Sequence, residues 1–261
     1  MYTDTHCHLS LGDSDEPVEA IVGRAEAAGV TALVTVGVDL ASSAEAVQVA
    51  SAFDHVWAVV GIHPHNAIEA TEHVLGRLES VARHPQVVGI GETGLDYFRD
   101  HSPRVRQAES FREHIRLAKQ HDKALVIHCR DAQRDVVAIL LEEKPPERTV
   151  FHCFSGDKEL VDVCAEQGWF MSFAGNVTFK NALELREAAA AAPLELLLTE
   201  TDSPYLSPHP HRGQSNEPAR VATVSDFLAE LHGVEPREMA ERTSDNARRA
   251  FLLPDGPGAA E

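Results

Sequence analysis

The feature of the sequence that most constrains the fold is a repeated order, in which a short apolar run is followed by a longer stretch of helical pattern. Eight such runs cover residues 2–8, 31–37, 56–61, 87–92, 124–129, 149–154, 168–173 and 195–201. Most are rich in Val, Ile and Leu without polar alternation, which is typical of strands buried on both faces. The stretches between them, such as 16–29 and 103–122, have a helical pattern.

This alternation of strand and helix predicts an α/β fold with a parallel sheet. Eight units in 261 residues favour a closed (β/α)8 barrel of the TIM type over an open sheet, because such a barrel occupies about 250 residues. Length alone would also allow two smaller domains. We expect a single barrel domain over residues 1–253 and a disordered tail over residues 254–261.

A long polar segment follows the eighth run and covers residues 203–218, which are rich in Pro, Ser, Gly and His. We interpret it as a loop beyond the eighth strand, and loops of this length are often functional. Helical patterns resume from Pro218 to about His232 and again over residues 235–252. The sequence therefore predicts a functional loop followed by terminal helices.

The chain is strongly acidic, with a formal net charge of −18. It has no overall attraction for nucleic acid or for an anionic membrane surface, and it lacks the basic stripe typical of proteins that bind duplexes. An anionic substrate would need a strong local positive site, which bound divalent cations would supply. The end of a single strand needs far less of a basic surface than a long duplex does.

The N-terminal segment has no basic stretch and no long apolar stretch, so the sequence predicts no secretory signal. No run approaches the roughly 18 apolar residues of a membrane-spanning helix. The cysteines at positions 7, 129, 153 and 164 form no C-x-x-C pair. We therefore expect a cytoplasmic protein with reduced thiols, no membrane association and no obligate protein partner.

Side chains that commonly bind metal ions stand at the ends of several predicted strands. They are His6 and His8 at the first strand, Glu92 at the fourth, His128 at the fifth, His152 at the sixth and Asp202 after the eighth. Barrel enzymes build their active sites at this face of the barrel, from strand ends and the loops that follow them. The sequence therefore predicts a metal centre at the mouth of the barrel.

Each of these residues has a structural explanation when it is considered alone. Side chains alternate along a strand, so His6 and His8 point the same way and could bind one ion together, but an H-x-H pair is a weak signal. Asp202 could cap the turn that begins at Ser203. Glu92 is harder to explain, because an unpaired buried carboxylate is costly. The metal hypothesis rests on the whole set.

The donor set consists of four imidazoles and two carboxylates. Imidazole suits zinc, iron, nickel or copper, whereas carboxylate suits magnesium or manganese, so the set does not identify the metal. A carboxylate can bridge two ions, and ions about 3.5–4 Å apart suit displacement at phosphorus or at a carbonyl carbon. Glu92 lies midway in the order of candidate ligands and is the bridging candidate.

Seven short motifs occur in order along nearly the whole chain. They are D-T-H-C-H-L from Asp4, G-I-H-P-H from Gly61, G-E-T-G-L-D-Y from Gly91, I-H-C-R from Ile127, H-C-F-S-G from His152, E-T-D-S-P-Y-L from Glu200 and R-G-Q-S-N-E-P from Arg212. With these motifs the sequence resembles the TatD family of metal-dependent deoxyribonucleases, within the amidohydrolase-like barrels. The last four motifs, in this order, are the most specific.

The resemblance implies two divalent cations per subunit, for which Mg, Zn and Mn are the candidates. It implies that His6, His8 and Asp202 hold the first ion, that His128 and His152 hold the second, and that Glu92 bridges them. It further implies that Asp202 orients the attacking water and takes up its proton. Glu92 and Asp202 are thus the predicted catalytic residues.

Three functions remain open at this stage. The first is a deoxyribonuclease that uses metal-activated water to cleave phosphodiester bonds at DNA ends, of the 3′-5′ exonuclease type and with single-stranded ends as the partner. His63 and Arg130 are its predicted substrate-binding residues, and Tyr97 and Phe98 could stack on a base or pack at the rim. The second is hydrolysis of a carbonyl ester or amide, such as D-aminoacyl-tRNA deacylation. The third is a metal-binding scaffold without catalysis. The complete set of ligands including Asp202 argues against it, because a purely structural site has no need of an open position for water.

Overall fold

The computed structural model describes residues 1–9 and 16–254, and their central feature is a sheet of eight parallel strands in sequence order. The strands are β1 (Tyr2–Cys7), β2 (Val30–Val36), β3 (Val56–Val60), β4 (Val87–Asp96), β5 (Ala124–Arg130), β6 (Thr149–Phe151), β7 (Phe170–Phe173) and β8 (Leu197–Thr199). All eight predicted strands are present, and the predicted single-domain (β/α)8 architecture is confirmed.

An α-helix follows each strand, and a ninth helix ends the described chain. The helices are α1 (Val18–Ala27), α2 (Leu40–Ser51), α3 (Glu72–Ala82), α4 (Arg104–Gln120), α5 (Gln133–Glu143), α6 (Lys158–Gln167), α7 (Leu183–Ala191), α8 (Val221–His232) and α9 (Pro236–Phe251). Between β8 and α8 lies the long segment predicted as a loop, with only a short 3-10 helix at Pro218–Arg220. Among the described residues, no helix is long and apolar enough to cross a membrane.

The strands form because their branched apolar side chains are buried on both faces of the sheet. All ten residues of β4 are buried, as are four of the five residues of β3 and the first four of the seven residues of β5. Small hydroxyl side chains also lie inside the barrel, where Thr5 Oγ1 and Ser172 Oγ are 2.9 Å apart. The core is therefore a filled barrel with a ring of helices, and side chains at the strand ends meet at one face.

The barrel closes between β1 and the residues just beyond β8. The backbone N–H of Asp202 donates to the carbonyl of His6 (2.9 Å), and that of His8 donates to the carbonyl of Ser203 (2.8 Å). Cys7 and Ser203 form an isolated parallel bridge between these bonds. The closing seam thus runs through the segments that carry three of the candidate metal ligands.

The prediction that Glu92 ends the fourth strand is wrong. β4 continues to Asp96, and its pairing with β5 shifts register between Ile90 and Thr93. This irregularity lets the strand regain its hydrogen bonds to β5 beyond Glu92. Glu92 therefore lies within the strand, at the shift, rather than at its end.

Several other predicted boundaries differ by a few residues. β6 and β8 have three residues each, so His152 follows β6 directly and Asp202 lies further beyond β8. His63 does not end β3, because the strand stops at Val60 and His63 precedes a 3-10 helix at Pro64–Glu69. The predicted tail is described only at its first residue, and residues 255–261 lie outside the described part of the chain.

Candidate metal centre

The structure brings all six predicted metal ligands together at the carboxyl ends of the strands, and His63 joins them. Three overlapping groups have donor atoms within 4.8 Å of one another. The groups are His6 with His152 and Asp202, His6 with His8 and Glu92, and His63 with Glu92 and His128. Residues from β1, β4, β5 and the segments after β3, β6 and β8 thus share one site.

Glu92 lies at the centre of this cluster. Its Oε1 is 2.7 Å from Nδ1 of His128, 2.8 Å from Nε2 of His152 and 3.3 Å from Nε2 of His63. Its Oε2 faces the other way and is 3.5 Å from Nε2 of His6. Burial alone would raise the pKa of Glu92, but its interactions with His152 and His63 hold it well below its usual range. The carboxylate therefore stays ionised and presents one oxygen to each side of the site.

A glycine allows β4 to approach β5 closely enough for this arrangement. Gly94 has a φ of +131°, and a Cβ at this position would lie 2.1 Å from the carbonyl oxygen of His128. No side chain fits there, because a Cβ atom essentially never lies within 3.0 Å of an atom with which it is in non-bonded contact. The second glycine of the G-E-T-G-L-D-Y motif is thus required by the contact that sets His128 beside Glu92.

Asp202 faces the histidines of β1. Its Oδ1 lies 3.5 Å from Nε2 of His8 and 3.9 Å from Nε2 of His6. The opposite ring nitrogen of His8, Nδ1, lies 3.0 Å from the carbonyl oxygen of Val36 and must donate to it. This bond fixes the ring and leaves Nε2 directed at the site, as is usual for a metal-binding histidine. Asp202 also has a left-handed backbone conformation, with a φ of 52°.

The donor set fits divalent cations. Among the described residues, both ring nitrogens of His6 and Nε2 of His152 are buried without a hydrogen bond. His152 Nε2 lies close to Glu92 Oε1, but the two do not have the geometry of a hydrogen bond. Buried polar atoms are normally paired, because an unpaired one costs about 1–3 kcal/mol. Cations between the imidazoles and the carboxylates would satisfy these atoms.

Two buried carboxylates that the sequence analysis did not identify hold the histidines of β5 and β6. Oδ2 of Asp96 lies 3.0 Å from Nε2 of His128 and 3.0 Å from Nε2 of His65. Oε1 of Glu200 accepts from Nδ1 of His152 at 3.2 Å. Carboxylates in this position orient metal-binding imidazoles. The sequence feature that could have identified them is an acidic side chain close to an apolar strand, within the same motifs that contain the candidate ligands.

The predicted substrate-binding residues are both at the site. His63 is closer to the cluster than expected, because its Nε2 lies 3.3 Å from Nδ1 of His128 and 3.3 Å from Oε1 of Glu92. Burial lowers the pKa of His63 to about 4, so its ring is neutral at neutral pH. Arg130 ends β5, as expected for a side chain on the same face as His128.

A cavity of about 820 Å³ opens over the cluster. Its walls include Glu92, Asp202 and Arg130, together with Asn176 from the segment after β7. Oδ1 of Asn176 is buried and has no hydrogen-bond partner among the described residues. The cavity therefore offers room for a substrate, and polar side chains from several loops face it.

A (β/α)8 barrel with imidazoles and carboxylates gathered at its mouth defines the class of metal-dependent hydrolases. Within that class the chain belongs to the family described as TatD related DNase, which it matches over residues 3–252. The prediction of this family from the sequence motifs is confirmed.

Individual relatives cover almost the whole chain. An uncharacterized metal-dependent hydrolase TatD of Mycobacterium tuberculosis is 44% identical over 258 residues, covering 96% of this chain and 97% of the relative. A 3′-5′ ssDNA/RNA exonuclease TatD of Citrobacter rodentium is 35% identical over 248 residues, covering 92% of each. The crystal structure of a TatD homologue from Escherichia coli K12 superposes with a TM-score of 0.91 at 30% identity, over 97% of this chain and 98% of that one.

Proposed function

We propose that the protein is a deoxyribonuclease that removes nucleotides from the 3′ ends of single-stranded DNA with two divalent cations. His6, His8 and Asp202 would hold one cation, and His128 and His152 the other. The observation that carries this proposal is the position of Glu92, whose Oε2 faces His6 and whose Oε1 faces the histidines of β5 and β6. A carboxylate placed in this way is suited to bridging two ions.

When bound, the cations would lower the pKa of water toward about 7 and stabilise negative charge on the phosphate oxygens. Asp202 is placed to orient the attacking water and to take up its proton, since its side chain lines the cavity beside His8. Burial alone would raise the pKa of Asp202, but its interactions with His8 and His152 lower it. The carboxylate is therefore ionised and ready to accept a proton.

Arg130 supports phosphate over carbonyl chemistry. It lines the cavity, and within residues 1–9 and 16–254 its guanidinium pairs with no carboxylate. A guanidinium matches the oxygens of a phosphate with two parallel hydrogen bonds. His63 also lines the cavity and would contact the same phosphate. The relative from Citrobacter rodentium that is named as a 3′-5′ ssDNA/RNA exonuclease supports the same substrate class.

The direct test begins with metal-free protein to which Mg²⁺, Mn²⁺ or Zn²⁺ is restored singly. Two single-stranded oligonucleotides are compared, one with a free 3′ end and one whose last linkages are phosphorothioates. We expect metal-dependent shortening of the first and protection of the second. A D-aminoacyl-tRNA is assayed in parallel, and its deacylation without any cleavage of the oligonucleotides would replace the nuclease proposal with the carbonyl alternative.

A further inference from the structure

The turn after β4 places an exposed aromatic ring beside two arginines at the mouth of the barrel. Phe98 is 55% exposed. The guanidinium of Arg130 lies 4.1 Å from the centre of its ring, and that of Arg99 lies 5.7 Å from it. Both arginines line the cavity over the candidate metal centre. The three side chains therefore form one cluster at its edge.

Buried contacts hold this turn in place. Oδ1 of Asp96 accepts hydrogen bonds from the backbone N–H groups of Phe98 (3.0 Å) and Arg99 (2.7 Å). The N–H of Tyr97 donates to the carbonyl of Arg130 at 2.9 Å. Asp96 is itself 1% exposed, and its other oxygen contacts His128. The turn is thus fastened to the same carboxylate that positions a candidate ligand.

The two arginines of this cluster are available to an anion. Several other arginines are paired with carboxylates, as Arg24 is with Glu217 and Arg112 with Glu143. In the part of the chain that the structure describes, neither Arg99 nor Arg130 has a carboxylate partner. The mouth of the barrel therefore carries two guanidinium groups that no carboxylate of the described residues neutralises.

An exposed ring with free guanidinium groups beside it matches the chemistry of a nucleotide. Bases stack on aromatic side chains regardless of sequence, and guanidinium groups bind phosphate oxygens. Tyr97 does not share this role, because its ring is partly buried against the core and its hydroxyl donates to Asp135 (2.8 Å). Phe98 is therefore the ring of this turn that is open to a ligand.

We propose that Phe98, Arg99 and Arg130 form a subsite for the nucleotide that adjoins the cleaved phosphate of a single strand. The base stacks on Phe98, and the two guanidinium groups bind phosphates of the backbone. This subsite rests on the proposed nuclease function and extends it, because it explains how a strongly acidic protein retains a polyanionic strand. It also predicts a preference for single strands, since a base inside a duplex is stacked on both faces and has no face free for the ring.

The first experiment measures binding without cleavage. A fluorescent single-stranded oligonucleotide with phosphorothioate linkages throughout is titrated against the Mg²⁺-loaded protein, and anisotropy is followed at several salt concentrations. Phe98→Ala should weaken binding about 5- to 150-fold, the range for loss of one stacked base, whereas Phe98→Tyr should bind within about twofold of the parent because both keep an aromatic face.

The salt dependence separates stacking from charge. Each phosphate contact on a single strand contributes about 0.7 to the slope of log affinity against log salt. Arg99→Gln and Arg130→Gln should each flatten the slope by about this amount, and Phe98→Ala should leave it unchanged. Arg77→Gln is the matched control, since it removes an exposed arginine of α3 that does not line the cavity, and it should bind as the parent does.

A small phosphodiester, bis(4-nitrophenyl) phosphate, reports whether the protein hydrolyses phosphodiesters at all. Arg77→Gln should hydrolyse it at the parental rate, and KM for the oligonucleotide should rise in Phe98→Ala. If the parent cleaves the oligonucleotide and Phe98→Ala binds it equally well, the subsite is wrong and the nuclease proposal stands. If the parent binds through Phe98 but hydrolyses no phosphodiester with any cation, the subsite stands and the nuclease proposal fails. A parent that neither binds nor cleaves the strand overturns both.

Discussion

Oδ2 of Asp96 lies 3.0 Å from Nε2 of His128, on the side of the ring opposite to Glu92. The imidazole is therefore held between two carboxylates, and only Nδ1 is directed at the candidate metal centre. A carboxylate behind a metal-binding histidine fixes its ring orientation and makes it more basic. Asp96 thus serves as a positioning residue for the cation that His128 would hold.

Asp96→Asn should weaken binding at one of the two cation sites by about 10- to 100-fold, the usual effect of removing such a partner. The other site should keep its affinity. Competition with a chromophoric chelator gives both affinities without any assay of activity. Asp100→Asn changes an exposed carboxylate four residues away, which pairs with Arg104, and should alter neither affinity.

Asp202→Asn should reduce turnover of single-stranded DNA by at least about 100-fold, the contribution typical of a general base. An amide retains the shape of the side chain but accepts no proton. The rate is measured at saturating metal so that weaker cation binding is not mistaken for a slower reaction. Near-normal turnover under those conditions would remove Asp202 from the mechanism.

Thr201→Val should destabilise the protein by about 1–3 kcal/mol, because it removes the hydroxyl that serves a buried carboxylate. Oγ1 of Thr201 lies 2.5 Å from Oδ2 of Asp4 and accepts the N–H of Ser203 at 3.2 Å. Asp4 is fully buried, so water does not readily replace a lost partner. Urea unfolding gives the free energies.

The control for this substitution is Thr243→Val in α9. The hydroxyl of Thr243 is equally buried, but it donates to the carbonyls of Met239 (2.9 Å) and Ala240 (3.4 Å), which lie one turn earlier in the same helix. We expect this variant to lose less than about 1 kcal/mol, because those carbonyls belong to the helical hydrogen-bond ladder. Equal losses of unfolding free energy in both variants would show that the contact with Asp4 contributes no more stability than an ordinary buried hydroxyl in a helix.

His114 should make the protein less stable as the pH falls below neutrality. Its ring is fully buried, with Nε2 accepting the N–H of Ile62 (2.9 Å) and Nδ1 donating to the carbonyl of Ser110 (2.7 Å). Burial lowers its pKa to about 4 from 6.5. The unfolded chain therefore binds a proton between these values that the folded chain does not, and stability decreases as pH falls through this window.

The test compares the parent with His114→Gln in urea unfolding between pH 7.5 and pH 4.5. The difference in free energy between them should shrink as the pH falls, by at most about 1.4 kcal/mol per pH unit for this single group. A difference that stays constant across the range would mean that His114 is protonated in the folded protein or that its partners compensate.

Much of the fold and the composition of the site could be predicted, because both follow from local patterns. Buried parallel strands leave long apolar runs, and the carboxyl ends of such strands meet at one face, so His6, His128 and Asp202 could be assigned to one site although they lie far apart in the chain. The proposed roles of these residues as ligands remain predictions.

What could not be predicted depends on contacts between elements. The register shift in β4, which leaves Glu92 within a strand, arises from how β4 meets β5 and has no signature in the run of apolar residues. Asp96 and Glu200 hold histidines that come from other strands, and those pairings depend on ring orientation. His63 was expected on the substrate and lies among the candidate ligands, because the chain bends at the 3-10 helix after β3.

The hydrogen bonds that join Asp202 to His6 and His8 to Ser203 have a consequence for how the protein is made. The segments on either side of this seam are among the first and the last parts of the barrel to leave the ribosome. A nascent chain that stops short of Ser203 can hold most of its helices and strands, yet it lacks the junction that sets His6, His8 and Asp202 side by side. Assembly of the candidate metal centre therefore waits until the segment beyond β8 has been made, so a shorter chain has no complete set of candidate ligands.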